Sequence, residues 1–192
     1  ILIGGEELHN NHHAYATSAR LSSKWYEFDI GWLYIRLLEI LGQARVKKVA
    51  PRLRLAAARQ TVDLDNLQAV ITHRYDVMAK YMQSLRQIYR EEAGKLKASL
   101  DAKSLKALKR WLARDAEELP EQERQRYMAA LEKSSRLSLG VEMRRELVAL
   151  WQRSTATHEE LLACLQDWCR RAEASGIRQL EEFSSRLRRY AL

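Results

Sequence analysis

Apolar residues recur along most of this chain at spacings of three and four, the signature of helices that bury one face. Trp32, Ile35, Leu38 and Leu41 mark one face of a first helix, which Asp29 or Gly31 opens and Gly42 stops. Further on, Leu64, Ile71, Met78 and Leu85 repeat every seven residues, with Leu67, Tyr81 and Ile88 on the adjoining row and Asp63 as a cap. That pattern predicts one long helix from about Asp65 to Ala93. Asp101 caps a helix carrying Leu105, Leu108, Trp111 and Leu112, and Pro120 ends it or starts the next. Tyr127, Met128 and Leu131 define a further segment, and Met143, Leu147, Leu150 and Trp151 another from about Val141 to Arg153. Thr157 and Glu160 form a capping box ahead of Leu161, Leu165, Trp168 and Ala172, closed by Gly176. Leu180, Phe183, Leu187 and Tyr190 make the last stripe. The expected fold class is all-α, with a bundle-like core.

One stretch breaks this texture. Between Arg45 and Arg59 lie six basic residues (Arg45, Lys47, Lys48, Arg52, Arg54 and Arg59) and no acid, with Pro51 among them. It reads as a boundary, dividing the chain into residues 1–50, a basic linker at 51–60 and a helical extension at 61–192. Over all 192 residues, 33 Lys+Arg face 25 Asp+Glu for a formal charge of +8, while two prolines and seven glycines leave helices largely uninterrupted. No apolar run approaches the roughly 18 residues that a membrane-spanning helix needs. Ile1 to Ile3 lead straight into Gly-Gly-Glu-Glu, too short for the core of a secretory signal, and the absence of an initial Met suggests the tail of something longer. Cys164 and Cys169 stand on different faces of one predicted helix, so no disulfide framework is expected and a reducing compartment fits.

The run with chemical content is His9-Asn10-Asn11-His12-His13. On a helix these three histidines fall within an arc of about 100°, so three neutral imidazoles can converge on a borderline metal such as Fe, Zn or Cu. The bland alternative is a solvated histidine-rich turn. His73 and His158 stand alone on helical stretches and read as surface or capping residues.

The run Gly5-Glu6-Glu7-Leu8-His9-Asn10-Asn11-His12-His13, with Ser23-Lys24-Trp25 and the apolar stretch from Phe28 to Leu41, closely resembles the third histidine box and following segment of membrane fatty acyl-CoA desaturases of the stearoyl-CoA type. The resemblance covers roughly Ile3 to Val49. It implies that His9, His12 and His13 are ligands of a non-haem di-iron centre. Glu6, Glu7, Asn10 and Asn11 are candidates to hold the second nitrogens of those imidazoles, although Glu6 and Glu7 serve equally as helix N-terminal charges. Lys24, Trp25 and Trp32 become possible contacts for substrate or membrane, Trp25 and Trp32 beside Tyr34 in a cytosolic segment beneath the membrane domain. The expected partners are an acyl-CoA or acyl lipid and an electron-donor redox protein. The family draws on three histidine boxes, so two boxes and the membrane helices that carry them are expected before Ile1, and this chain alone is expected to be catalytically incomplete. The implied location is a bacterial inner membrane, with this portion facing the cytoplasm.

From about Thr61 onward nothing has a counterpart in the animal enzymes of that family. About forty residues, from Leu150-Trp151 through Trp168 and on to Phe183 and Leu187, are similar to a helical stretch of bacterial insertion-sequence transposases, without a catalytic acidic triad. Lys103, Lys106, Lys109, Arg110, Arg186, Arg188 and Arg189 are balanced by Glu117, Glu118, Glu121, Glu123, Glu181 and Glu182. This predicts a mixed solvated face rather than a single-sign stripe, so nucleic acid is not an expected partner. The competing reading is a helical interaction or nucleic-acid-binding module whose histidines have no function.

Overall fold

The computed structural model describes residues 18–20, 22, 29–49, 53–57, 59–152 and 156–192. The chain is all-α and divides into two compact units, Ile1–Arg52 and Leu53–Leu192.

In the first unit, helix α1 spans Ile30–Ile40. Asp29 opens it, as expected: one carboxylate oxygen accepts from the Trp32 amide at 2.8 Å, and the other accepts from the Ser22 amide at 2.8 Å. Gly42 ends it with φ +71°, a left-handed turn that lets Gln43 and Ala44 donate to the Leu38 carbonyl.

The second unit begins with a two-residue strand, β1 (Arg54–Leu55), which pairs antiparallel with β2 (Tyr190–Ala191) near the other end of the chain. Between them lie α2 (Leu64–Thr72), α3 (Arg74–Ser99), α4 (Ala102–Trp111), α5 (Glu121–Glu132), α6 (Ser135–Gln152), α7 (His158–Ala174) and α8 (Arg178–Leu187). Asn66 joins the two halves of this arrangement. Its carbonyl accepts from the Asp63 amide in a capping box, and its amide donates to the Tyr190 carbonyl at 2.8 Å.

The single helix expected over 65–93 is two helices that break at His73, whose φ −106° and ψ 31° leave the helical region. Three consecutive β-branched or hydroxylated positions, Val70-Ile71-Thr72, weaken helix propensity just before the break. The core row also differs from the seven-residue repeat: Leu64 is exposed and Ile71 and Met78 are half-buried, whereas Leu67, Val70, Val77, Tyr81, Leu85 and Ile88 are fully buried. Met128, expected beside Tyr127 and Leu131, points outward, and Tyr190 lies in β2 rather than at the end of a helix.

Helix α3 is the spine of the unit, packing on α6, α8 and α4. Its contact with α6 is close because Gly140 lacks a side chain: a Cβ there would sit 2.9 Å from Leu85 Cδ1 and 3.4 Å from Ile88 Cδ1. The Tyr81 hydroxyl uses the same gap to donate to the Gly140 carbonyl at 2.6 Å. Tyr81, Trp168 and Phe183 meet edge-on with ring centroids 5.0 to 5.9 Å apart, and the Trp168 indole donates to the Met143 carbonyl at 2.9 Å.

Candidate functional site

Most of the predicted metal and substrate residues, His9, His12, His13, Asn10, Asn11, Glu6, Glu7, Lys24 and Trp25, lie outside the described residues. Trp32 is described. It sits half-buried in the first turn of α1, with the Arg36 guanidinium 5.9 Å from its ring centroid. Among the described residues no three His, Cys, Asp or Glu side chains come together where they could hold a metal ion. His158 is the exposed first residue of α7, and His73 is buried at the break between α2 and α3, with Nδ1 3.7 Å from Asp76.

Helix α1 has an unusual surface. Leu33, Tyr34, Leu37, Leu38, Ile40 and the capping Leu41 are each between 40% and 77% exposed. At 100° per residue they share an arc of roughly 160° that no charged side chain enters. Arg36 and Glu39 pair with each other on the other side. No residue of α1 is buried, so the apolar face that normally anchors a helix is turned to the outside. No helix among the described residues is long and apolar enough to cross a membrane.

Two groups of charged side chains stand out in the second unit. Many arginines are tied to carboxylates: Arg144 to Asp115, Arg145 to Glu117, Arg171 to Glu146 and Asp167, Arg188 to Glu173, and Arg136 to Glu91 and Glu92. Glu92 is the buried member of this set. Burial works to raise its carboxyl, but hydrogen bonds from Ser134 Oγ (3.0 Å) and Arg136 (3.1 Å), with the charges of Lys95 and Arg136, outweigh it and hold the group below the usual carboxylate range.

The second group lines a cavity of about 440 Å³ between α4 and α5. Lys103, Lys106 and Arg110 come from α4 and Arg126 from α5, with Ala107 and Trp111 as the apolar floor. Glu123, the one carboxylate lining it, accepts from the Trp111 indole at 2.7 Å and lies 3.5 Å from Arg110. Lys103, Lys106 and Arg110 follow the i, i+3, i+7 spacing of one helix face, which the sequence displays. Arg126, sixteen or more residues further on, joins them only through the turn between the helices.

The transposase family, of the DDE type named for ISL3, matches residues 57–192. This is far wider than the forty-residue similarity visible in the sequence. Several desaturases match a shorter stretch. The sn-1 stearoyl-lipid 9-desaturase of Anabaena variabilis is 46% identical over 52 residues, 27% of this chain and 19% of that enzyme. Delta-9 acyl-lipid desaturase 2 of Arabidopsis thaliana is 47% identical over 58 residues, 29% of this chain and 19% of that protein. Acyl-CoA 5-desaturase AL21 of Anemone leveillei is 49% identical over 49 residues, 26% of this chain and 15% of that protein. The chain therefore spans about a fifth of the length of the desaturases it matches, and its relationship to them covers about a quarter of its own length. No solved structure matches.

Proposed function

The chain belongs to the transposase family over residues 57–192, and from that premise we propose that it joins a helical unit of this lineage to the terminal segment of an iron-dependent fatty acyl desaturase. In this reading His9, His12 and His13 supply three neutral imidazoles to a di-iron centre, and the remaining ligands come from histidines outside this sequence. The donor chemistry fits: imidazole resists oxidation and suits iron, while three nitrogens are too few to hold two metal ions. Iron bound there supplies the oxidising power, drawn from O2 and two electrons, that removes hydrogen from an unactivated methylene. The chain's own residues position the ligands. Glu6, Glu7, Asn10 and Asn11 would accept from the second imidazole nitrogens, and Lys24, Trp25 and Trp32 would meet the acyl carrier or the membrane. The substrate is a long-chain acyl-CoA or acyl lipid, the electrons come from a separate redox protein, and the assembly sits at a bacterial inner membrane with this portion on the cytoplasmic side.

The observation that carries this reading is the identity of 45% or more to several desaturases over some fifty residues. The surface of α1 supports it, because a face of six exposed apolar side chains calls for a cover, and the four-fifths of the desaturase fold missing from the match would provide one. Membership of the transposase family favours a second reading, nucleic-acid binding. The pairing of most arginines in the second unit with carboxylates argues against a strip of cations that could track a phosphate backbone. An electrophoretic shift assay at low salt separates the two, with no shift expected. The iron reading is tested by titrating the 192-residue chain with Co(II) and following its absorption. At most one metal per chain is expected, and it should be lost when His9, His12 and His13 are all changed to alanine. Two metals held by this chain alone, or binding that survives the triple change, would contradict the reading.

A further inference from the structure

We propose that the cavity between α4 and α5 is a binding site for a small ligand carrying adjacent phosphate groups, recognised through its diphosphate. The site has the size of a ligand pocket: about 440 Å³, within the roughly 300 to 1,000 Å³ that such pockets occupy. Four cations, Lys103, Lys106, Arg110 and Arg126, converge on it from two helices, against the single carboxylate of Glu123. That carboxylate is already engaged, accepting from the Trp111 indole and lying beside Arg110. Asp101 also feels the charge of Arg126, but its carboxylate is committed to the Ser104 amide, 3.0 Å away, as the cap of α4. Lys103, Lys106 and Arg126 form no ion pair with any described residue, unlike Arg144, Arg145, Arg171 and Arg188. An excess of uncompensated positive charge gathered in a concavity costs self-repulsion, which a polyanion relieves.

Two adjacent phosphates match this arrangement better than one phosphate or a long strand. Lys103, Lys106 and Arg110 run along about two turns of α4, so a diphosphate lying along the helix meets a cation at each end, with Arg126 closing from α5. A nucleic-acid backbone needs a strip of cations continuing beyond the pocket, and Arg124, beside it on α5, is paired with Glu121 instead. The diphosphate could be free or part of a nucleotide, and the two sources are told apart by experiment.

The test is isothermal titration of the full chain with inorganic pyrophosphate, with ADP, and with a short DNA duplex, at low and moderate salt. Pyrophosphate or ADP should saturate one site. The double charge reversal Lys106→Glu with Arg126→Glu should weaken binding at least about tenfold, since a charge-assisted contact is worth roughly one decade in affinity. Lys80→Glu, an exposed change on α3, should leave it unaltered, and unchanged far-ultraviolet circular dichroism shows that each variant is folded. Tighter binding of ADP than of pyrophosphate assigns a nucleotide, and equal or weaker binding assigns the free diphosphate. No saturation by either ligand, equal binding by the double variant, or preference for the duplex with a steep salt dependence would overturn the proposal.

Discussion

Replacing Gly140 by alanine tests the close contact between α3 and α6. The new methyl group would lie 2.9 Å from Leu85 Cδ1 and 3.4 Å from Ile88 Cδ1, and both neighbours are fully buried on α3, where neither can swing into open space. Overpacking of this kind costs about 1 to 3 kcal/mol. Alanine is also the better helix former by about 1 kcal/mol, so the net loss is about 0 to 2 kcal/mol. Gly94 provides an internal reference. It lies in α3 with ordinary backbone angles, and its added Cβ meets nothing within 4 Å. Gly94→Ala should therefore gain about 1 kcal/mol, and the gap between the two variants, about 1 to 3 kcal/mol, isolates the packing cost from helix propensity. Urea unfolding of the full chain followed at 222 nm measures it. The melting temperature should separate in the same direction by about 3 °C per kcal/mol. Equal stabilisation by both substitutions would show that α3 and α6 do not approach this closely.

Three further outcomes follow from the described side chains. Glu92 is held below the usual carboxylate range, so its contribution to stability is present above the unfolded-state pKa and disappears as pH falls through the lower folded-state value; Glu92→Gln should be less stable than the parent near neutrality, with the gap closing in acid unfolding titrations. A gap independent of pH would refute that. Burial, partly offset by a hydrogen bond with Ser184, raises the Cys169 thiol to about 11, and the residue is 5% exposed; a thiol reagent at mildly alkaline pH should leave it unlabelled in the native chain and modify it once denaturant is added. Rapid native labelling of Cys169, read by peptide mass, would contradict its placement. Trp168→Phe removes the donor to the Met143 carbonyl and should cost about 1 to 3 kcal/mol, measured by urea unfolding, whereas unchanged stability would show that the bond is not formed.

What the sequence displays and what it hides divides along the range of the interactions. Asp29, Gly42, the Thr157–Glu160 capping box and Gly176 act within one turn, so their roles were legible before any fold was known. The break at His73 was not, because the seven-residue repeat runs across it while the backbone changes course beneath. The pairing of β1 with β2 joins residues more than a hundred positions apart, and two-residue strands carry no alternation to read. Glu92 likewise gains Ser134 and Arg136 from forty or more positions away. Among candidate site residues, the run His9-Asn10-Asn11-His12-His13 is local and is read directly from the sequence. The cavity on α4 and α5 is not, since Arg126 reaches Lys103 and Lys106 only through the helical hairpin, and a sequence count balances those cations against glutamates of which only Glu123 lines the cavity.

Joining a desaturase segment to a transposase-family unit is tested most directly in cells. The gene product that carries this sequence should be expressed, with ample iron, in a host lacking its own acyl desaturase, and the membrane acyl chains analysed by gas chromatography. Mono-unsaturated chains should form with the intact protein and vanish when His9, His12 and His13 become alanine, with the protein still accumulating. Undiminished unsaturation in the triple variant, or none with the intact protein supplied with a reductase, would contradict the account.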